Sequence, residues 1–469
     1  MRRHIRFSLL LISLLAWLYA CGSKARHAWE QAHAADTTAA YEQFLKNYPN
    51  STYDAQAKTR LDELYGKRVL FPASRNKKYG YIDAAGQFVL PPGYEYARRF
   101  RGNAALVRTD DKWGFVNKAG RQIAKPQYEQ IEDFSESLAA VKTANGKWGF
   151  LDLGGRMAIP AQFEDAWPFS DGLALVKSGG RWSFIDHTGT RAIAADWPGG
   201  GIDEAVSMEF SVGKEGKLHE SADLGEDGGI ITKYPLEWLT RQELPGLSTW
   251  LYPDVARPGT FRTPDVVVDR FSGGLARLVK GEKWGYIDKA GRTVVEPRYQ
   301  FCSQFHDGRA IVNNGSGLGF IDEHGKVVVQ PEYAAMHGRF REGLAGAAKG
   351  GRWGFIGPNG DVRIPFRFAS ANGFSSGLAA VKIGSKWGFI DTAGNVAIPA
   401  RFDEADRFAE GRAAVKIGRK WGYVDKSGAL VVQCQYEDAG VFENGLAEVR
   451  SGQTRSYIVS SGAAVWTSD

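Results

Sequence analysis

Cysteine is nearly absent, with three among 469 residues, at positions 21, 302 and 434. So few cannot form a disulfide framework, and their spacing fits no zinc ligand pattern. Cys302 and Cys434 occupy different positions within a 34-residue repeat, so we expect buried apolar fillers rather than a bridge. Long apolar runs are missing too: the longest, residues 7–18, falls short of the ~20 residues that a membrane-spanning helix needs. No Gly-x-Ser-x-Gly, no phosphate-binding Gly-x-x-x-x-Gly-Lys loop and no Gly-x-Gly-x-x-Gly opening a helix occurs. His187, His219, His306, His324 and His337 share no spacing, which supports neither a metal site nor a nucleophile with its base. We therefore expect no catalytic residue, no metal, no cofactor and no enzyme. An excess of one charge is lacking as well. The formal +6 falls to +3 once Arg2, Arg3 and Arg6 are set aside in a leader expected to be removed, so nucleic acid is not the expected partner.

What is present is a chain too long for one ordinary core, with 43% hydrophobic and 12% aromatic residues and 57 glycines against 18 prolines. Length asks for several domains or a repeat, and the glycines ask for many turns. The first twenty residues read as an address: three arginines within residues 1–6, then Phe-Ser-Leu-Leu-Leu-Ile-Ser-Leu-Leu-Ala-Trp-Leu. The following Leu18-Tyr19-Ala20-Cys21 resembles the lipobox of bacterial lipoproteins, which implies a leader over 1–20 and lipidation of Cys21. Several acyl chains at ~0.8 kcal/mol per buried methylene would hold such a protein on a membrane. Gly22, where aspartate would signal retention at the inner membrane, resembles the outer-membrane class. The expected address is thus the cell envelope, lipid-anchored, at the outer membrane.

Residues 21–68 are expected to hold the anchor, a linker and a helical segment. Apolar residues recur at helical spacing: Trp29, Ala32 and Ala35; Tyr41, Phe44, Leu45 and Tyr48; Ala57, Leu61 and Leu64. Asp36 is the expected cap of the second helix, Pro49 its terminator, and Ser51 with Asp54 a capping box for the third. Residues 40–51 resemble the inter-helix segment of tetratricopeptide-like units. One unit is too little for a peptide groove, so a spacer, or a cap on the remainder of the chain, is expected.

From residue 69 onward one phrase recurs. Trp113-Gly114, Trp148-Gly149, Trp284-Gly285, Trp353-Gly354, Trp387-Gly388 and Trp421-Gly422 each follow a lysine or arginine and precede Phe or Tyr, with Tyr79, Trp182, Leu318 and Arg455 at variant copies. The steps are 34 or 35 residues, except for one of 102 between Trp182 and Trp284. Thirteen or fourteen positions before these residues stand Phe100, Phe134, Phe169, Phe271, Phe305, Phe340, Phe374 and Phe408, and Gly172, Gly274, Gly308, Gly343, Gly377, Gly411 and Gly445 supply turns with φ > 0. Each unit reads as three strands, for example 378–382, 386–391 and 396–402. Period-two alternation puts Trp387 with Phe389 on one face and Ile390 on the other. Both faces are apolar, so neighbouring units must cover them. The glycine after each tryptophan is expected to let the adjacent unit approach, and Pro126, Pro160, Pro297, Pro331, Pro365 and Pro399 mark the third strand as an edge.

These residues resemble the WG-repeat family of bacterial proteins, which implies a β-structured repeat and carries no common activity. The expected architecture is an all-β array of about ten units over 69–197 and 270–469, open and twisted because ten exceeds the usual four to eight blades of a propeller; the alternative is one or two β-propellers. Residues 198–269 are expected to be an insertion or two degenerate repeats. An insertion that breaks a regular surface is the place for partner-specific contacts.

Two recurring charges tempt a chemical reading. Asp83, Asp152, Asp186, Asp288, Asp322, Asp391 and Asp425 each stand alone before a turn glycine, which asks for turn capping rather than calcium. Lys78, Lys112, Lys147, Arg181, Lys283, Arg352, Lys386 and Lys420 precede the tryptophan position, where a cation keeps strand edges soluble; a basic ladder for an anionic envelope polymer is the alternative. The expected function is a non-catalytic binding or scaffold role toward an envelope protein or glycan, with an envelope hydrolase sited in 198–269 or a structural spacer as alternatives. If Cys21 carries the lipid, Cys21→Ser should shift the protein from the membrane pellet to a soluble or unprocessed form. Unchanged acylation and fractionation would contradict the lipoprotein assignment.

Overall fold

A computed structural model describes residues 24–49, 51–195, 197, 199–200, 230–232, 266–281 and 283–469. Cys21, and with it the lipid anchor, lies outside the described residues, as does most of the stretch 198–269. The chain divides into two units, Met1–Pro126 and Gln127–Asp469.

The first unit opens with three helices, α1 (24–35), α2 (Thr38–Asn47) and α3 (Asp54–Gly66). Their shared core of Ala32, Tyr41, Phe44, Ala57 and Leu61, with Trp29 against it, is the face that helical spacing predicts. Two caps differ from expectation. Thr37, not Asp36, caps α2, its Oγ1 accepting from the Ala40 N–H at 3.2 Å. Asp36 sits at φ 45° and its carboxylate is held instead by the Arg60 guanidinium, at 2.6 and 2.8 Å. There is no capping box on α3, because the Ser51 carbonyl takes the Asp54 N–H at 3.1 Å and the Asp54 carboxylate pairs with Lys58. The Lys118 ammonium, 2.9 Å from the Gly66 carbonyl, satisfies an orphan acceptor near the end of α3 and ties the helices to a sheet turn.

Ten sheets lie among the described residues, in sequence order from Phe71 to Thr467 and antiparallel but for the added strand Gly199–Gly200. In the eighth, the order by hydrogen bonding is Ser370–Ala371, Leu378–Ile383, Lys386–Asp391 and Val396–Phe402. Most 34-residue periods thus make four strands rather than three, the first and fourth sheets having three. The short fourth strand comes from residues just after a third strand and pairs with the next long strand, so consecutive periods share chain, except between the fourth and fifth sheets, where the outer strand is Val266–Ser272. A four-stranded meander of this kind is a propeller blade. The sheets match the β-propeller alternative and correct the open, twisted array. Copy number had argued for openness, but the usual blade count is a frequency and sets no limit on how such sheets stack.

The turns are as expected, with Gly377 at φ 84° and Gly394 at 86°. The glycine after tryptophan works differently. In the second and third long strands Trp387 is opposite Phe402 and Phe389 opposite Ile398, so Gly388 alone faces the bulged residues 399–401. A Cβ on Gly388 would meet the Ile398 carbonyl at 2.6 Å and Ala400 N at 2.7 Å. Gly114, Gly149, Gly285, Gly354 and Gly422 face their own third strands in the same way. What approaches is the unit's own backbone, carrying Pro399 or its counterpart on the edge strand, and not the adjacent unit.

Both sheet faces are buried as alternation requires. Phe389 packs with Phe402, Ala405, Phe408 and Val415 toward the ninth sheet, while Ile390 packs with Phe355, Ile364 and Phe374 toward the seventh. Among the largest fully buried side chains are aromatics two positions after the tryptophan position, Phe115, Phe150, Phe184, Tyr286, Phe320 and Tyr423. The tryptophans are nearer the margin: Trp148, Trp182, Trp284 and Trp421 are buried, whereas Trp113, Trp353 and Trp387 are half-buried. Truncating Phe389 to alanine should therefore cost ~3 to 5 kcal/mol as a core cavity, and Trp387→Ala should cost less. Chemical denaturation of the two variants checks this ranking, and a larger loss for Trp387→Ala would reverse it.

Candidate functional site

The recurring polar residues first have to be accounted for as structure. Where the first long strand begins, a serine hydroxyl reaches the neighbouring unit: Ser135 donates to the Phe169 carbonyl at 2.6 Å, Ser272 to Phe305 at 2.8 Å and Ser375 to Phe408 at 2.7 Å. Acids beside this position accept from the next turn glycine, Glu136 from Gly172 N–H at 3.0 Å, Glu342 from Gly377 at 3.1 Å and Glu410 from Gly445 at 2.8 Å.

At the opposite end of the strand a second clamp involves the cations that precede the tryptophan position. Asp403 takes the Lys386 ammonium at 2.5 Å and the Gly418 N–H of the next hairpin at 2.7 Å. Glu95 does the same with Lys78 at 3.6 Å and Asp111 N–H at 3.4 Å, and Glu437 with Lys420 at 3.7 Å and Gly452 N–H at 3.0 Å. Lys78, Lys386 and Lys420 thus each serve as one half of an inter-sheet clamp.

The turn aspartates also have a structural task. Asp391 Oδ1 accepts from the N–H groups of Ala393 at 3.0 Å and Asn395 at 2.8 Å, and Asp83, Asp152, Asp186, Asp288, Asp322 and Asp425 repeat the pattern. Asn117 performs it with an amide oxygen. The Asn395 amide holds the Asp391 carboxyl below its ordinary range, and the Ser427 hydroxyl does so for Asp425. Among the described residues no group of three or more His, Cys, Asp and Glu side chains could hold a metal.

Regularity fails around the fourth to seventh sheets. The fourth and fifth sheets stack directly despite the 102-residue step: Phe184 touches both Trp197 at 5.5 Å and Phe271 at 4.9 Å, and all three share a core with Leu175, Ile193 and Leu278. The clamps also cross the gap, Ser170 to the Phe271 carbonyl and Asp171 to the Gly274 N–H, both at 2.6 Å. Two short pieces of the intervening stretch attach to sheets, Gly199–Gly200 parallel to Val267–Val268 and Ile230–Thr232 antiparallel to Ala335–His337.

Here too lie two polar groups that sequence reading missed. Arg277 and Asp269 form a buried ion pair, with Arg277 Nε 2.8 Å from Asp269 Oδ2 and Gln304 also on that oxygen at 3.4 Å. The signal was available, since Arg277 stands where most other units carry an apolar residue, Leu106, Ala140, Leu175, Ile311, Ala380 or Ala414. Breaking such a pair is costly because the remaining charge stays buried. His337 is buried against Trp353, its Nδ1 accepting from Gly346 N–H and its Nε2 donating to the Ala371 carbonyl, both at 3.1 Å. Burial pulls its pKa down to about 4, so it is neutral at physiological pH. Of the other histidines, His187 stacks on Phe169 and meets Glu136 at 3.0 Å, His306 lies 3.4 Å from Arg339, His324 sits in a turn, and His219 is outside the described residues. Cys302 is fully buried with its thiol pushed up to about 12, and Cys434 is half-buried. On the helices a groove of about 410 Å³ is lined by Trp29, His33, Gln56, Thr59, Arg60 and Glu63.

Comparison with known proteins bears on the repeat. A profile described as "WG containing repeat" matches eight segments, 79–113, 113–148, 148–182, 284–316, 319–353, 353–387, 387–421 and 421–453, together more than half the chain. No curated protein matches the sequence. Among solved structures, a eukaryotic initiation factor is 8% identical over 86% of this chain and 96% of its own, with a TM-score of 0.41. The dihydro-heme d1 dehydrogenase NirN in complex with DHE is 12% identical over 88% and 83%, TM-score 0.34. The computationally designed Ika8 protein is 10% identical over 72% and 95%, TM-score 0.31. Likenesses this loose carry no argument about what the protein does.

The turn aspartates generate a pH dependence. A carboxyl whose folded pKa is depressed adds stability that is complete above its unfolded value, near 3.8 for Asp391, and drains away as pH falls through the lower folded value. Asp391→Asn keeps the acceptor, as Asn117 shows, and should melt close to the parent at neutral pH while losing less on acidification; Asp391→Ala should melt lower at neutral pH. Melts across pH 7 to 2.5 that are parallel for parent and Asp391→Asn would remove the charge from the account.

Proposed function

The chain belongs to the WG-containing repeat family, and from that premise we propose that it is a non-catalytic binding or scaffold protein held on a bacterial membrane by a lipid at Cys21. Its partner is an envelope protein or glycan, and the excursion between Gly200 and Val266 selects that partner. The supporting observation is the direct stacking of the fourth and fifth sheets: Trp197 and Phe271 pack on Phe184 from either end of the excursion, so the repeat stack is continuous without it. The recurring serines, acids and lysines support the same reading, because their bonds run between sheets and stiffen a broad surface. A preformed surface of this kind loses little entropy when a partner docks.

The test compares the full chain with a form in which residues 201–265 are replaced by a short Gly-Ser linker, both carrying Cys21→Ser. The shortened form should keep a β-rich spectrum and a cooperative melt, since nearest-neighbour stacking is uninterrupted. Both are then immobilised and exposed to soluble envelope protein and to cell-wall glycan fragments. Retention by the full chain and not by the shortened one supports the proposal in full. Equal retention moves the partner site onto the sheets. Retention by neither leaves a structural spacer, and turnover of the glycan by the full chain would replace binding with hydrolysis.

A further inference from the structure

Five residues around the phenylalanine that opens each period and five in the turn that follows lie at one end of every sheet from the second to the tenth. In the second sheet these are 98–102 and 117–121, brought to the same end by the pairing of Ala104 with Asn117. They include Arg98, Arg99, Arg101, Lys118 and Arg121 and no acid, a charge of +5. The same ten positions sum to −3 in the third sheet, 132–136 with 152–156, to +1 in the fifth, 269–273 with 288–292, and to values between these in the others.

The end of α3 joins the cluster. The Lys118 ammonium is 2.9 Å from the Gly66 carbonyl and the Lys118 N–H donates to Asn103 Oδ1 at 3.3 Å, so Lys67 and Arg68 follow directly from the point of contact. Lys67, Arg98, Arg101 and Arg121 are exposed. Setting Asp62, Asp83, Glu132 and Asp133 against all seven cations leaves 7 − 4 = +3, and Glu63 is taken by Arg60. We propose that this basic end of the first unit docks on the phosphate headgroups of an anionic lipid bilayer. The choice of a bilayer rests on the membrane attachment proposed above.

The sequence here changes the charge and spares the fold. Asn117 replaces the aspartate of most other turns, yet its amide oxygen still accepts from the N–H groups of Ala119 at 3.1 Å and Arg121 at 2.9 Å. Arg101 stands where Ser135, Ser170, Ser272 and Ser375 stand, and Gly102 where Glu136, Asp171, Glu342 and Glu410 stand. Backbone geometry does not ask for that glycine. Its φ of 59° is matched by 50° at Glu136, 55° at Asp171, 52° at Glu342 and 49° at Glu410, so the same bend carries an acid elsewhere.

Guanidinium groups present paired N–H donors that match phosphate oxygens. Cations also gain from the potential of an anionic surface when they lie within a Debye length of it, ~10 Å at about 0.1 M salt. Lipid on Cys21 would bring such a surface near. Three residues, 21–23, separate that position from the start of α1, at most ~11 Å of chain. Helix α1 shares one core with α3 through Ala32, Ala57 and Leu61. An acyl anchor and a basic patch reinforce one another at a membrane.

The test uses residues 21–469 with Cys21→Ser, a form that keeps every described residue and carries no lipid. It is pelleted with vesicles of phosphatidylcholine alone or with a third of phosphatidylglycerol. The protein should be retained on the anionic vesicles and not on the neutral ones, and added salt should release it. Arg98→Gln with Arg99→Gln and Arg101→Gln should weaken retention about tenfold or more. Lys289→Gln with Lys326→Gln and Lys426→Gln, an equal loss of charge in the turns of other sheets, should leave it unchanged. Thermal melts check that each variant folds; if the arginine variant does not, Lys67→Gln with Arg121→Gln carries the same expectation. Retention on neither vesicle, equal retention on both, or an equal loss from the cluster and the control substitutions overturns the docking surface. Tighter binding of a short DNA duplex than of the anionic vesicles overturns it too, by making the cluster a general polyanion site. None of these results touches the anchor, which is read from acylation and fractionation of the chain with Cys21 in place.

Discussion

One contact holds this protein in register: the edge-to-face pair between the aromatic two positions past each tryptophan and the phenylalanine that opens the next period. Phe150 meets Phe169 at 5.0 Å, Tyr286 meets Phe305 at 4.8 Å, Phe389 meets Phe408 at 4.9 Å and Tyr423 meets Phe442 at 4.9 Å, each tilted by 61° to 67°. Such pairs are worth about 0.5 to 1.5 kcal/mol beyond the area they bury. The larger effect is geometric, because the ring of one sheet can be buried only by the ring of the next. A 34-residue unit is thereby stable only in company. Where phenylalanine becomes tyrosine, the added hydroxyl finds a carbonyl in the next sheet, Tyr81 to Arg98, Tyr286 to Ser303 and Tyr423 to Gly440.

The other recurring residues depend on that pairing. A sheet that must present rings on one face and Ile or Val on the other has to be strongly shaped, and the bulge opposite each glycine after tryptophan does the shaping. Clamps at both ends of the strands then hold neighbours at one spacing, through serine to carbonyl at one end and lysine to acid to hairpin N–H at the other. The same pair explains why a 102-residue step is tolerated. Phe184 and Phe271 meet at 4.9 Å and 63°, indistinguishable from pairs one period apart, so a long excursion can leave and return without a gap in the stack. Departures from the pattern gather beside that excursion: the Asp269–Arg277 pair, its arginine in a position that is apolar in most units, the buried His337, and a sheet that takes an extra strand.

Much of this was legible in the chain. The 34-residue period, the two apolar faces, the positive-φ turns, the aspartate caps and the helical face of Trp29, Tyr41 and Phe44 are all local or periodic properties, and repetition multiplies a local signal. The cap of α2 was misassigned to Asp36 because Thr37 and Asp36 are both good cap residues in sequence, and only the distant Arg60 decides which carboxylate or hydroxyl is free. Trp387 drew attention through its size and recurrence, yet Phe389 is the deeper residue, since depth depends on which ring the next sheet supplies.

The sequence by itself determined what each unit is: its length, its turns, its alternation and the need of both faces for a neighbour. Those properties come from backbone geometry and from apolar surface that 34 residues cannot cover alone. Tertiary structure decided what the units do to one another. That most periods make four strands, that Gly388 faces its own third strand rather than the next unit, that Lys386 belongs to Asp403, and that Ser170 reaches Phe271 across a hundred residues are all pairings between groups whose separation along the chain says nothing of their distance in space.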